Sequence, residues 1–284
     1  MSISLKKILI TGIKGFLGSD LAQSLQNCEI FGLGKKEEFF EGIHVFNSSE
    51  LEKLDNDIDI IIMCHAAVAS GNTILPNESL YEVNVSLTEK IVSKFPDAFI
   101  IYVSTASIYK INPFLINEQS DIYPQSNYAL SKLWAERIVL LHKNAAILRI
   151  SSMFGIKMKE NTLIPNYVNQ ALNNKEILVW GNGARLQNYI HVEDVINYII
   201  LMIEARERVS GHIILGVCPK EYSNLEIAQI ISNLTKAKIK FVNDDNSHSL
   251  KYNNEFSTIL LGWKPKKNIE KRLQKYIEWK QKKY

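Results

Sequence analysis

Two runs, Ile58-Asp59-Ile60-Ile61-Ile62-Met63-Cys64 and Ala98-Phe99-Ile100-Ile101-Tyr102-Val103, are almost continuously apolar. A strand reads that way when both of its faces are covered, as in a parallel sheet with helices packed above and below it. Shorter strand-like runs near 6–11, 28–33, 43–46 and 145–150 alternate with helical patterns near 15–26, 78–94 and 124–143. That βαβ rhythm predicts an α/β fold with a doubly wound parallel sheet of Rossmann type. After about residue 153 the rhythm loosens into helices near 162–172, 192–204, 224–233 and 267–281, separated by short strands and by polar turns such as Gly181-Asn182-Gly183. The expected division is a dinucleotide-binding domain at 1–153 and a smaller α+β substrate lobe at 154–284, with segment 188–205 returning to the core.

The chain has 284 residues, 46% of them hydrophobic and 22% charged, with no internal repeat and no linker-like run, so the whole of it is expected to fold. A net charge of +3 with a pI near 8.5 is too mild to argue for nucleic acid, yet does not repel a phosphate-bearing small molecule. Cys28, Cys64 and Cys218 lack metal-ligand spacing, and two of them border apolar runs. No metal is expected, and a reduced, cytoplasmic setting is. Strand-like Lys7-Ile8-Leu9-Ile10-Thr11 follows Met1 too closely for a secretory segment, and no apolar run approaches the ~20 residues of a membrane span, so no membrane partner is expected.

Thr11-Gly12-Ile13-Lys14-Gly15-Phe16-Leu17-Gly18 closes the first strand and opens the first helix. In that context Gly12 permits a tight turn, Gly15 lets the backbone approach a pyrophosphate and Gly18 allows close helix packing, while the helix N-terminus offers free N–H groups to the anion. The second strand ends in Gly34-Lys35-Lys36, where an acidic residue would bind the ribose hydroxyls of NAD. Two ammonium groups suit a 2′-phosphate, which favours NADP over NAD, although lysines in a turn are also commonly just solvated.

Tyr128-Ala129-Leu130-Ser131-Lys132 places a phenol and an ammonium at i and i+4, on one helix face. A phenol with a pKa of ~10 is a poor base near neutrality, and a lysine cation beside it, aided by an oxidised nicotinamide, is expected to stabilise the phenolate and bring it into working range. The strand before this helix ends Val103-Ser104-Thr105-Ala106-Ser107-Ile108-Tyr109, where the Thr105 hydroxyl is placed to bond a reacting oxygen.

Taken together, these elements resemble the extended short-chain dehydrogenase/reductases, in particular the NAD(P)-dependent nucleotide-sugar epimerase/dehydratase/reductase group. The resemblance covers nearly the whole chain. It takes in the glycine loop, His65-Ala66-Ala67, Val83-Asn84-Val85, Ser104 to Tyr109, Tyr128 and Lys132, Leu148-Arg149 through Phe154-Gly155, Tyr189-Ile190-His191-Val192-Glu193-Asp194-Val195 and Leu261-Gly262-Trp263-Lys264-Pro265. It implies that Tyr128 is the acid/base, Thr105 its hydroxyl partner, and Lys132 both a modulator of the phenol and a ligand of the nicotinamide ribose. The implied cofactor site comprises Gly12, Gly15, Phe16, Leu17, Gly34, Lys35, Lys36, Asn47, His65, Ala66, Ala67, Tyr128, Lys132 and Ser151. The implied site for a nucleotide-diphosphate sugar comprises Thr105, Ser152, Leu163, Trp180, Arg185 and Gln187. His191 is left out as a structural strand-to-helix junction. A homodimer through the helices near 78–94 and 124–143 is implied as well.

Within that group, 4,6-dehydratases carry an Asp-Glu pair after the Thr, and decarboxylases keep a Glu; this chain has Ala106 and Ser107. Enzymes that epimerise C3 or C5 use a Cys at the Ser107 position and a His after the Gly155 segment, where Ile156-Lys157-Met158 stand. The remaining chemistry needs one hydride and one proton. Ser152 and Gln187 replace an Asn and an Arg that commonly serve the diphosphate; Arg185 is the nearby cation, and Trp180 stands where an aromatic stacks on the nucleobase. A 4-keto-sugar reductase using NADP is the leading expectation and an NAD-dependent 4-epimerase the alternative. A non-catalytic NADP-binding regulator is the reading from a different class, and the intact Thr105/Tyr128/Lys132 set argues against it.

Overall fold

The computed structural model describes residues 6–25, 27–68, 75–111 and 115–283. The first half runs β1 (Lys7–Thr11), α1 (Phe16–Ser24), β2 (Glu29–Gly34), β3 (Glu38–Phe40), β4 (Ile43–Asn47) and β5 (Ile60–Met63), then α2 (Asn77–Leu80), a π-helical turn at Tyr81–Ser86 and α3 (Leu87–Lys94). It continues through β6 (Phe99–Thr105), α4 (Asn127–Val139), β7 (Ala145–Ile150) and β8 (Ser152–Phe154). The second half runs α5 (Leu163–Asn174), β9 (Glu176–Trp180), β10 (Leu186–Gln187), β11 (Tyr189–His191), α6 (Val192–Glu204), α7 (Arg206–Val209) and β12 (Ile213–Gly216). It closes with β13 (Tyr222–Ser223), α8 (Asn224–Thr235), β14 (Lys238–Val242), α9 (Glu255–Leu261) and α10 (Ile269–Lys283).

An eight-stranded sheet in the order β12-β7-β6-β5-β1-β2-β4-β3 organises the molecule, and every strand in it except β3 is parallel to its neighbours. The apolar runs are continuous because alternate residues enter different cores. Ile8, Ile10, Ile60, Ile62 and Ile101 pack under α1 and α6, while Leu9, Ile61, Met63, Ile100 and Tyr102 pack with residues of α3 and α4. The α/β doubly wound class expected from the sequence is the fold observed.

Several local features differ from the sequence pattern. β3 has no counterpart in it: this strand pairs antiparallel with β4 through Glu41 and Gly42 at φ 52° and 82°, a turn with two left-handed residues. Glu-Gly is not among the dipeptides that announce such a hairpin, so the local signal is weak. The expected helix over 78–94 contains the π turn, and the one over 124–143 is confined to Asn127–Val139.

The second lobe has its own core, in which Ile164 and Val168 of α5, Ile177 and Val179 of β9, Ile227 and Ile231 of α8, and Leu273 and Tyr276 of α10 meet. It joins the sheet through β8 and β11, which pair in parallel, and through Trp263, whose ring stacks on Tyr198 at 4.2 Å while its indole N–H donates to the Asp194 carbonyl at 3.2 Å. No described helix is long and apolar enough to cross a membrane.

Candidate active site

Because the strands run parallel, the residues at and just beyond their carboxyl ends gather along one edge: Gly12 after β1, Lys35 after β2, Asn47 ending β4, His65 after β5, Thr105 ending β6 and Ser151 after β7. Connections diverge between β1 and β5, and ligands of open α/β sheets sit at such a switch point.

The glycine loop lies there. A Cβ on Gly12, at φ 65°, would meet the His65 Cα at 2.9 Å, and one on Gly18 would meet the Gly12 carbonyl oxygen at 2.4 Å, so the turn packs backbone against backbone. Gly15 caps α1 without a side-chain acceptor, and the first turn contains no acid, which leaves the N–H groups of Phe16 and Leu17 available to an anion. These features fit a dinucleotide pyrophosphate. Lys35 and Lys36 are exposed and have no carboxylate partner among the described residues. The acids beside them are engaged elsewhere, Glu38 with Lys14 at 2.7 Å and Glu37 with His44 at 3.1 Å. Asn47 is paired in register with Gly34, and its side chain accepts from the Ser49 N–H at 3.0 Å.

His65 turns inward. Its Nδ1 lies 2.6 Å from the Thr11 hydroxyl and its Nε2 lies 3.1 Å from that of Thr88, while Thr88 Oγ1 donates to the Asn84 carbonyl at 2.9 Å. With the Thr88 proton committed, Nε2 must carry the imidazole hydrogen and Nδ1 must accept from Thr11. Nδ1 accepts because the ring is neutral: burial, with Lys132 nearby, pushes its pKa down to about 3. The backbone of His65 faces the glycine turn, while its ring bonds Thr11 and Thr88. Asn84, fully buried in the π turn, clips this loop to α4. Its Oδ1 accepts from the Ala67 N–H at 2.7 Å, and its Nδ2 donates to the Ala67 carbonyl at 3.2 Å and to Ser131 Oγ at 2.9 Å; Ser131 in turn donates to the Tyr128 carbonyl at 2.8 Å.

Helix α4 starts at Ser126, whose side chain accepts from the Ala129 N–H, and it must run antiparallel to β6 because it connects two parallel strands. Lys132, 1% exposed, donates to the Val103 carbonyl at 2.8 Å, and its ammonium lies 3.9 Å from the centre of the Tyr102 ring. Tyr128 stands one turn, ~6 Å, nearer the carboxyl edge, and Thr105 stands ~6.6 Å beyond Val103 along β6, so both residues lie towards that edge from the Lys132–Val103 contact. One turn the other way, Glu136 receives Arg149 Nε and Nη2, the latter at 2.7 Å, in an ion pair whose side chains are each 1% exposed. Removing one partner of such a pair costs about 3–5 kcal/mol, so it fixes α4 against β7.

Burial moves the Lys132 ammonium down to about 7, with Glu136 and Cys64 pulling the other way, and it moves the Tyr128 phenol up to about 12. Desolvation by the protein raises the phenol, so the stabilisation of phenolate expected from Lys132 with an oxidised nicotinamide is not carried by Lys132 alone. Thr105 Oγ1 accepts from the Ser107 N–H at 3.1 Å and lies 2.9 Å from Ser107 Oγ.

Of the expected substrate contacts, Ser152 is exposed beside Tyr189 of β11, and Gln187 donates to Asn224 Oδ1 at 2.8 Å. Ser151 Oγ donates to Asn188 Oδ1 at 2.8 Å. Leu163 opens α5, Trp180 ends β9 with 55% of its surface exposed, and Arg185 reaches the His248 carbonyl at 3.4 Å. His191 accepts from the Glu193 N–H as the cap of α6 and lies 2.7 Å from Arg272 Nη1, which also pairs with Glu193. It is a junction residue, as expected. None of Cys28, Cys64 and Cys218 forms a disulfide.

The sequence pattern of the NAD dependent epimerase/dehydratase family matches residues 8–216, from β1 to the last strand of the main sheet. The chain belongs to this family. Among curated relatives it is 26% identical to a dTDP-D-glucose 4,6-dehydratase of Dictyostelium discoideum, over 81% of this chain and 62% of that protein. It is 25% identical to the low-salt glycan biosynthesis protein Agl12 of Haloferax volcanii, over 96% and 97%. Its fold matches a UDP-glucuronic acid 4-epimerase from Bacillus cereus in complex with UDP-glucuronic acid and NAD, with TM-score 0.85, 19% identity and coverage of 98% and 100%. It also matches a dTDP-glucose 4,6-dehydratase from Bacillus anthracis in complex with NAD, with TM-score 0.82, 23% identity and coverage of 98% and 97%.

Asn84 was visible only as part of the Val83-Asn84-Val85 segment, and its contacts, like the roles of Thr88 and Ser131, escape a reading of the sequence because the partners lie on other elements. Glu136 leaves a usable signal, standing at i+8 from Tyr128 on the same face. The neutral His65 has a measurable consequence. Its native pKa of about 3 lies below the ordinary 6.5, so its stabilising contribution is complete above pH 6.5 and is lost as pH falls towards 3; His191, also near 3, acts in the same direction. The thermal midpoint should fall steadily across that window, and the fall should be shallower in a His65→Asn variant. Equal slopes in the two proteins would show that His65 has no part in the acid sensitivity.

Proposed function

We propose that this chain is an NADP-dependent reductase that converts the 4-keto group of a nucleotide-activated sugar to a secondary alcohol in the cytoplasm. What supports the reading is a phenol, Tyr128, whose pKa burial raises, and a Thr105–Ser107 hydroxyl pair at the end of β6, with Ala106 and Ser107 where other members place further acid/base groups. A nicotinamide, when bound, supplies the hydride to the carbonyl carbon. Tyr128 delivers its proton to the carbonyl oxygen, and the hydroxyl left free by the Thr105–Ser107 contact donates to the same oxygen as charge develops. Lys132 supplies positive charge beneath the phenol. The free lysines at 35 and 36 support a 2′-phosphate, and the exposed Trp180 and nearby Arg185 support a nucleobase and a diphosphate.

The second reading, an NAD-dependent 4-epimerase, is favoured by the UDP-sugar 4-epimerases holding NAD among the structures of similar fold. Both readings use the same residues and differ in whether the nucleotide is exchanged. Protein denatured after purification should release little nucleotide, and the intact protein should consume NADPH with a 4-keto nucleotide sugar. Tyr128→Phe should lower kcat about 100-fold or more, and Lys35→Ala with Lys36→Ala should raise KM for NADPH but not for NADH. Tightly held NAD with no turnover of NADPH would replace the reductase by the epimerase, and full activity in Tyr128→Phe would sink both.

We infer further that the protein is a homodimer. Leu130 and Trp134 on α4 are 53% and 54% exposed, and Trp134 packs at 5.6 Å on the part-exposed Tyr81 of the neighbouring π turn, an apolar face that calls for cover. Trp134→Glu with Leu130→Glu should give a monomer by light scattering, and an unchanged mass would place the interface elsewhere.

A further inference from the structure

Lys132 forms no salt bridge among the described residues, although it is 1% exposed. Its ammonium meets one neutral oxygen, the Val103 carbonyl at 2.8 Å, and one aromatic face, the Tyr102 ring at 3.9 Å. The charged and titratable groups around it are Glu136 and Tyr128 on its own helix, Cys64 and His65 after β5, and Tyr102 on β6. Glu136 has both carboxylate oxygens engaged by Arg149, His65 is neutral, and burial keeps Cys64 and Tyr128 protonated. The Tyr102 hydroxyl is buried and points to Thr88, and the ring is the part of this residue that meets the ammonium.

We propose that Tyr102 is the positioning residue for Lys132: its ring face holds the buried ammonium in the charged form and fixes it one helical turn below Tyr128. The quadrupole of an aromatic face attracts a cation, most strongly where water is excluded, and adds no net negative charge. A carboxylate at the same place would hold the ammonium more firmly but would cancel its field at the phenol. A ring keeps the charge and leaves the field intact. The N–H groups not used by Val103 then remain free for the reacting edge. Desolvation, which pulls this lysine down to about 7, sets the size of the task the ring performs.

This inference rests on the assignment of Lys132 to the Tyr128 set, and its test reads the lysine directly as well as the reaction. The Cε resonance of Lys132, assigned by its absence in Lys132→Met, would be titrated by NMR in the wild type, Tyr102→Phe and Tyr102→Leu, with phenylalanines of increasing ring fluorination at position 102 as a series of constant shape. Tyr102→Phe is expected to titrate as the wild type. Tyr102→Leu should hold the proton about tenfold less tightly, and the fluorinated series should weaken step by step as the ring face loses its negative charge. The alkaline limb of kcat should move in the same order while KM changes little. A lysine that titrates identically across the fluorinated series would overturn the proposal, whether or not Tyr102→Leu folds. Full hydride transfer by Lys132→Met would instead overturn the catalytic assignment and leave the titration to decide the role of Tyr102.

Discussion

The seating of α4 on β6 and β7 is the constraint on which the site depends. One face of that helix carries Tyr128, Lys132 and Glu136 at successive turns, and each is fixed differently. Glu136 is locked to Arg149 inside the protein, Lys132 is drawn under β6 by the Val103 carbonyl and the Tyr102 ring, and Tyr128 is carried to the carboxyl edge by the helix rise. Because the helix is pinned at its buried end, the phenol can stand half-buried without being held by its own hydroxyl. The chain accepts a buried ion pair, which contributes little to net stability, in exchange for a defined register between helix and strand.

The same helix is tied to the cofactor side of the edge by hydrogen bonds that run through the π turn. Thr11 ends the strand before the glycine loop and bonds His65; His65 bonds Thr88, and Thr88 bonds Asn84, which holds Ala67 and Ser131. Every side chain in that series is buried and satisfied, the condition under which a polar network specifies one arrangement rather than weakening the core. The widened turn places Asn84 in reach of both the loop after β5 and α4, in keeping with the tendency of π turns to occur at functional sites.

The parallel sheet was legible because burial on both faces writes itself into sequence as an uninterrupted apolar run, and Ile58 to Cys64 is such a run. The glycine loop was legible because Gly12 and Gly18 answer to backbone contacts that no other residue tolerates. Tyr128 and Lys132 were legible as a spacing, but the desolvation that raises the phenol and lowers the ammonium was not, because it depends on what packs around α4. The hairpin at Glu41-Gly42 and the Asn84 clip were hidden for a related reason, since the first rests on an untypical turn sequence and the second on partners distant in the chain. Arg185 was legible as a cation and remains the least settled by neighbours, with one long contact to a carbonyl.

In the proposed reading, Tyr128 is the proton donor, Thr105 and Ser107 the hydroxyl pair and Lys132 the buried cation, and Ala106 and Ser107 stand where a group that removes a proton from carbon would be. That restriction is the central claim, and isotope tracing tests it most directly. Turnover of a 4-keto nucleotide sugar in deuterated water with unlabelled NADPH should leave every carbon of the product free of solvent deuterium, while deuterium placed on the transferring position of the nicotinamide should appear at C4 alone. Solvent deuterium at C3, C5 or C6 would contradict the account, because it would require an acid/base group that the residues around Tyr128 do not provide.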